Sequence, residues 1–308
     1  MKKNVIQTRF FKLVKKNWLL FLILMPTIIW YIIFKYVPMG GASLAFKTFR
    51  YDCGVLGSPW CGFENFKLMF HEKAFWQAFK NTLIFGFGKI VFQFPIPIII
   101  AILINEIKNE KSKKFFQTVF TFPHFISWVV LASIFSIIFS SNGALNQFIV
   151  QMGGEPWLPM LNPDTFRPFV WISNSWKEFG WDTIIYLATL TSISPALYEA
   201  AEVDGANRFQ KIWHVTLPGM KSIICVMLIL QVGNIMGSAS FDQIFNLYSP
   251  VVYETGDILD TYVQRYTFEK GANFGYTSAV GLFNSVVGVI MITIANRFAM
   301  KHGEKGLL

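Results

Sequence analysis

Five stretches of the sequence run for roughly the width of a bilayer with no more than one charge each, and this pattern restricts the available folds more than any other feature. Crossing a hydrocarbon core of about 30 Å takes about 20 residues of helix. Residues 18–34, 115–139, 222–241 and 274–296 carry no Asp, Glu, Lys or Arg, and residues 81–104 carry only Lys89. A sixth stretch, 168–192, is long enough but contains Lys177, Glu178 and Asp182. Composition agrees: 53% of the 308 residues are hydrophobic and 15% charged, against roughly 25% charged in soluble domains. These values exclude a disordered, collagen-like or disulfide-framework chain and argue against an ordinary soluble enzyme. The expected fold is all-α and integral to the membrane, with six transmembrane helices.

Basic residues set the orientation. With the amino terminus inside, the cytoplasmic segments hold sixteen Lys and Arg and the longer outside segments hold nine, which predicts both termini cytoplasmic. The formal charge of +9 then reflects attraction to the anionic inner leaflet, and no nucleic acid partner is expected. Residues 1–17 read as a cytoplasmic arm, 18–300 as one membrane domain and 301–308 as a cytoplasmic tail. The first span reads as uncleaved, because Lys35, Tyr36 and Val37 follow its long apolar part before the small residues Gly40, Gly41, Ala42 and Ser43 appear. The outside segments 35–80, 140–167 and 246–273 are aromatic-rich and predict a cap with short helices. Cys53 and Cys61 share the first of these and are either a short disulfide or two free thiols; Cys225 lies in the fifth span.

The stretch 194–220 between the fourth and fifth spans is too polar to enter lipid and too apolar for a floppy linker. Ser194 and Pro195 suit a helix start, and Asp204 with Gly205 a stop and turn. A second helix is predicted over 206–216, ending before Pro218. Glu199 and Glu202 fall on one face of the first helix, and Phe209, Ile212 and Trp213 make an apolar stripe on the second. The hairpin either lies on the inner leaflet or docks a cytoplasmic partner. The string EAAEVDGANRFQKIWHVTLP, residues 199–218, closely resembles the EAA motif of membrane subunits in binding-protein-dependent ABC importers, with Val215 in place of the motif's Ile. WKEFGWDTIIYLATL, FDQIFNL and DILDTYVQR look like carbohydrate-uptake permeases, especially those for oligosaccharides.

That resemblance implies a type I ABC importer permease fold in the cell membrane, with the hairpin inserted as a coupling helix into a cleft of an ATPase subunit. It places Glu199, Ala200, Ala201, Asp204, Gly205, Ala206, Phe209, Leu217 and Pro218 in the coupling element, Glu199 as an ion-pair partner and Gly205 as the turn. It also implies a second, related but distinct permease subunit, an ATPase dimer, an extracellular solute-binding protein and an oligosaccharide substrate. ATP and Mg belong on the ATPase, and no cofactor is expected on this chain. By the same resemblance Asn174, Trp176, Gly180 and Trp181 lie in the solute-binding region of the fourth span, with Asn234 and Ser238 looser candidates on the fifth.

The residues themselves carry no enzyme constellation. GFGK at 86–89 has Leu83 where a phosphate loop needs its first Gly, and the His71–Glu72 pair has Phe75 where a zinc-protease helix needs its second His. His124, alone within a span, reads as a packed, hydrogen-bonded group. Polar residues within spans are costly unless they face a cavity or partner. At about 100° per residue, Trp171, Asn174, Ser175, Glu178, Asp182, Tyr186 and Thr189 share a broad stripe, as do Gln231, Asn234, Ser238 and Asp242 on the fifth span and Thr277, Gly281, Asn284 and Gly288 on the sixth. These stripes either satisfy one another at a dry interface or line a wet path for a polyhydroxylated solute. The expected function is a permease half-pathway for a sugar, coupled to a separate ATPase. An integral-membrane enzyme acting on a lipid-linked sugar, with Glu178 and Asp182 as acid and base, is the alternative, and a transport-like sensor without flux is a third.

Overall fold

A computed structural model describes residues 16–237, 240–269, 271 and 273–301. Among them the regular elements are helices, with one isolated antiparallel bridge, Lys47 to Trp60. The chain divides into two compact units, the residues up to Met69 with Asn273–Leu282, and the remainder.

In the first unit α1, Trp18–Phe46, is apolar on all sides, and none of its most apolar window is buried. A helix of that kind belongs in lipid or against another chain. Beyond it, buried Lys47 donates Nζ to the carbonyls of Val55 and Leu56, each at 2.9 Å. Asn65, on α2 (Glu64–His71), donates to the carbonyls of Ala45 and Lys47 at 3.0 Å. Cys53 and Cys61 are free thiols.

The second unit contains α3 (Lys73–Asn105), α4 (Glu110–Phe125), α5 (Trp128–Ile138), α6 (Ala144–Gln151), α7 (Pro163–Leu190), α8 (Pro195–Val203), α9 (Arg208–Met236), α10 (Phe241–Leu247) and α11 (Leu259–Phe268). The last helix, α12 (Phe274–Lys301), has residues in both units. Four described helices, α1, α3, α9 and α12, are long and apolar enough to cross a membrane, and α4 with α5 makes up to five if the pair is one span.

The stretch expected as the fourth span is α7, which is not among those helices. Its 28 residues reach about 42 Å. It starts at Pro163, earlier than the apolar pattern suggests, because the Asn162 side chain accepts from the Asp164 amide and Pro163 occupies the first turn. Its charges are tolerated because much of its surface meets protein. Phe166, Phe169 and Val170 pack with Phe85, Ile244 and Val252, and Tyr186, Leu187 and Leu190 pack with Ala101, Ile104 and Met220. Near its amino-terminal end Arg167 donates to Asn81 Oδ1 at 2.7 Å and to the Thr255 carbonyl at 3.1 Å. Asn81 in turn donates to the carbonyls of Glu254 and Asp257, pinning the segment after α10.

Three expectations are corrected. The stretch 115–139 is not one straight helix: α4 and α5 meet at 93°, where Pro123 sits in a tight 3-10 turn and the Ser127 hydroxyl caps α5 by accepting from the Val130 amide. The fifth span does not reach residue 241. It tightens at Asn234–Met236, Gly237 is extended, and Phe241 opens α10. Gln231, Asn234 and Asp242 therefore do not share one helix face, and Ser238 lies outside the described residues. Finally, the second arm of the hairpin does not stop before Pro218 but runs on as α9.

Proline in a helix removes a donor and clashes with the carbonyl four residues back. Here the helix widens first: π turns at Ile32–Tyr36, Lys89–Gln93 and Ile212–Thr216 each end two residues before a proline, Pro38, Pro95 and Pro218. The wider turn lets the helix pass the proline without breaking.

Candidate functional site

The hairpin is built from local hydrogen bonds. Gly205 adopts φ +76, a left-handed turn that favours glycine. The Ala206 amide closes back on the Ala201 carbonyl at 2.9 Å and the Gly205 amide on Glu202 at 3.0 Å. Asn207 and Gln210 then form a reciprocal capping box that starts α9. Lys211 Nζ donates to Glu202 Oε1 at 2.6 Å, clasping the two arms. That hydrogen bond and the Lys211 charge hold the Glu202 carboxyl below the usual carboxylate range, so the clasp contributes at neutral pH and loosens as pH falls through the depressed value.

Among its exposed groups the hairpin carries large apolar side chains. Val203 is 88% exposed, Phe209 84% and Trp213 69%. Glu199, Ala200, Asp204, Gly205 and Pro218 are exposed as well, whereas Ala201, Ala206 and Leu217 are half-buried. The cap Asn207–Gln210 and the clasp Glu202–Lys211 went unnoticed in the sequence, although the Asn-x-x-Gln spacing was readable there.

A second constellation lies where α3, α7 and α9 meet. A cavity of about 210 Å³ is lined by Lys89, Gln93, Trp128, Asn174, Glu178, Asp182, Gln231, Asn234 and Ser240, with Gly86 and Ile235. Asn174 Nδ2 donates to Gln93 Oε1. Both oxygens of Glu178 are engaged: Oε1 accepts from Lys177 Nζ at 2.9 Å, and Oε2 shares a hydrogen bond of 2.6 Å with His124 Nδ1. Lys177 Nζ also reaches the His124 carbonyl at 2.7 Å. His124 is thus a packed, hydrogen-bonded group, and its ring lies flat on Trp181 with centroids 4.3 Å apart.

Of the pathway candidates, the structure brings Asn174, Glu178, Asp182 and Asn234 to one cavity. None of the other described candidates lines it. Trp176 lines a separate apolar recess with Phe92, Trp171 and Phe179. Gly180 is a helix-crossing residue, because a Cβ there would sit 2.0 Å from the Phe120 carbonyl oxygen. Trp181 stacks on His124 as above, Asp242 is exposed on α10, and Asn284 Oδ1 is buried with no hydrogen-bond partner among the described residues. Sequence reasoning missed Lys89, Gln93 and Trp128 as cavity residues. Four amides and three charged groups around a small cavity can hydrogen-bond a polyhydroxylated molecule.

Residues 93–301 match the family described as binding-protein-dependent transport system inner membrane component. The chain belongs to this family. The permease is 41% identical over 297 residues to the polygalacturonan/rhamnogalacturonan transport system permease protein YteP of Bacillus subtilis (strain 168), covering 96% of this chain and 92% of that one. Protein LplB of the same organism is 39% identical, covering 95% and 92%. A crystal structure of a bacterial ABC transporter involved in the import of the acidic polysaccharide alginate contains a chain with 40% identity and a TM-score of 0.86, covering 95% of this chain and 99% of that one. A second, of the alginate ABC transporter in complex with an alginate pentasaccharide-bound periplasmic protein, gives 39% identity and a TM-score of 0.87, covering 97% and 100%. The permease therefore has the type I importer fold, is a multi-pass membrane protein and is a transport subunit. The alternative of an enzyme acting on a lipid-linked sugar is not favoured.

Proposed function

We propose that this permease supplies half of the pathway by which an oligosaccharide enters the cell, and that a separate ATPase dimer drives it through the α8–α9 hairpin. The observation that carries this reading is the continuity of α9. Phe209 at its exposed end and Gln231 and Asn234 on the cavity wall lie on one helix, about 33 Å apart at the rise of an α-helix. A partner that grips the hairpin thereby moves the cavity wall as a rigid rod. ATP and Mg act on that partner, where nucleotide closure pushes the elbow.

In this reading α1, α3, the α4–α5 pair, α7, α9 and α12 are six spans with both termini cytoplasmic. A second permease subunit, related but distinct, completes the pathway. A solute-binding protein docks outside; the neighbouring alginate transporter forms a complex with an alginate pentasaccharide-bound periplasmic protein. Glu199, whose carboxylate pairs with nothing among the described residues, is the hairpin's charge for an ion pair with the ATPase. Ala200, Ala201, Asp204, Gly205, Ala206, Phe209, Leu217 and Pro218 shape the docking surface. Asn174, Glu178, Asp182 and Asn234 form the polar wall past which the solute moves. Glu199→Lys or Gly205→Pro should abolish uptake while the permease still reaches the membrane fraction at normal level; full uptake by both variants contradicts the coupling role.

A further inference from the structure

A groove of about 650 Å³ opens where α4 packs on α7, and the transport reading gives it no use. The two helices run antiparallel there, since Lys177 meets the His124 carbonyl and Gly180 meets Phe120. The lining changes character along its length. Lys113 and Gln117 of α4 and Thr191 of α7 lie toward one end, and Phe122, Phe125 and Ile184 toward the other. No acidic residue lines it, and Lys113 is its only charged group among the described residues. Thr118, Thr121 and Thr191 turn their hydroxyls onto the carbonyls of Lys114, Gly180 and Ala188. That leaves the Lys113 ammonium and the Gln117 amide, one turn further in, as the side-chain donors for a ligand. Around the same end the sequence sets Lys108, Lys111 and Lys114 beside Lys113, against Glu106 and Glu110, so the mouth is positive. From Lys113 to Phe125 the groove extends about 18 Å at the rise of a helix, close to the roughly 15 Å depth of one leaflet.

We infer that this groove seats one anionic phospholipid, with its phosphate on Lys113 and Gln117 and an acyl chain running past Ala188 and Ile184 to Phe122 and Phe125. A basic mouth over an apolar trough fits a molecule that carries its charge at one end. The volume falls within the roughly 300–1,000 Å³ of small-molecule sites, which are apolar with a few placed polar groups. Length separates a lipid from a transmembrane helix of another subunit. Such a helix crosses both leaflets, whereas the groove ends at the elbow where α5 turns away from α4 at 93°. An apolar helix would also cover the Lys113 ammonium without a counter-charge, which is costly; a phosphodiester supplies one. The seat adjoins the close crossing of Gly180 and Phe120, so the lipid braces α4 against α7. Binding requires only that the permease sits in a membrane; placing the phosphate in the inner leaflet uses the orientation proposed above.

The test is native mass spectrometry of the complete purified transporter, offered phosphatidylglycerol and phosphatidylcholine of the same acyl chains at equal concentration. Wild type should retain phosphatidylglycerol at least fivefold over phosphatidylcholine. Lys113→Gln should lower phosphatidylglycerol retention at least fivefold, whereas Lys108→Gln, the same loss of charge outside the groove, should change it less than twofold. Ala188→Trp, which fills the trough and leaves the charge alone, should lower retention of both lipids. Equal losses in Lys113→Gln and Lys108→Gln would mean diffuse surface charge and overturn the site. A wild type that holds the two lipids equally, or neither, overturns it as well. The same spectra show whether each variant assembles, and a photo-crosslinking amino acid at position 184 in cell membranes tests the site without these variants. An adduct to anionic phospholipid supports the assignment; an adduct to a second permease subunit, or to zwitterionic lipid alone, overturns it. None of these readouts uses sugar uptake, so a transporter that imports no oligosaccharide sinks the import reading and leaves the lipid site standing.

Discussion

Gly180 shows how a residue picked for one role turns out to serve another. On the fourth span it stands among Trp176, Glu178 and Trp181, all plausible sugar contacts, yet its hydrogen faces the Phe120 backbone where α4 crosses α7. Gly180→Val should force the helices apart and lower stability by about 1–3 kcal/mol, seen as a reduced melting temperature of the solubilised complex; an unchanged melting temperature would show that the crossing can yield. The Lys177–Glu178–His124 group makes a second prediction at this scale. Glu178→Leu strands a lysine whose side chain is only 7% exposed and should destabilise by about 3–5 kcal/mol, whereas Lys177→Met with Glu178→Leu should recover most of that loss. A double variant no better than the single one contradicts the pairing. Glu178, Asp182 and Asn174 were legible in the sequence because α7 is regular around them and a period of 100° per residue groups them correctly. Lys89 and Gln93 were not, because they bracket a π turn that shifts the register of α3, and a helical wheel assumes no such shift.

Among the elements, α9 departs most from what the sequence suggests. Pro218 reads as a terminator, but the preceding π turn carries the helix past it, joining what looked like a separate hairpin arm to the fifth span. The sequence made the turn itself plain, through Asp204 and Gly205, because glycine at a left-handed position leaves a local signature. Continuity across Pro218 has no such signature, since it depends on a backbone adjustment made upstream. The bend between α4 and α5 was hidden for a related reason: Pro123 and Ser127 are too few to interrupt an apolar run of bilayer length. If α9 is the rod that links hairpin to cavity, relaxing its π turn should rotate one end against the other. Pro218→Ala should allow that relaxation and turn Phe209 and Trp213 by roughly 100° relative to Gln231. ATP hydrolysis by the assembled complex should then persist while uptake falls several-fold; uptake and hydrolysis falling together would mean that docking, not transmission, was lost.

For the whole molecule, the balance of surfaces fits the proposed role as one subunit of an importer. α1 leaves its most apolar stretch entirely uncovered, the hairpin exposes Val203, Phe209 and Trp213, and the polar cavity is lined by residues of this chain alone. In the proposed function each surface meets a different environment: lipid or a second permease, a cytoplasmic ATPase, and a solute. The ATPase is the partner on which the account depends. A photo-crosslinking amino acid at position 209, in membranes of cells importing oligosaccharides, tests it most directly. The account predicts one main protein adduct, to an ATP-binding subunit, with a yield that changes when nucleotide is trapped. Adducts to lipid alone, in a transporter that still takes up its sugar, would contradict it.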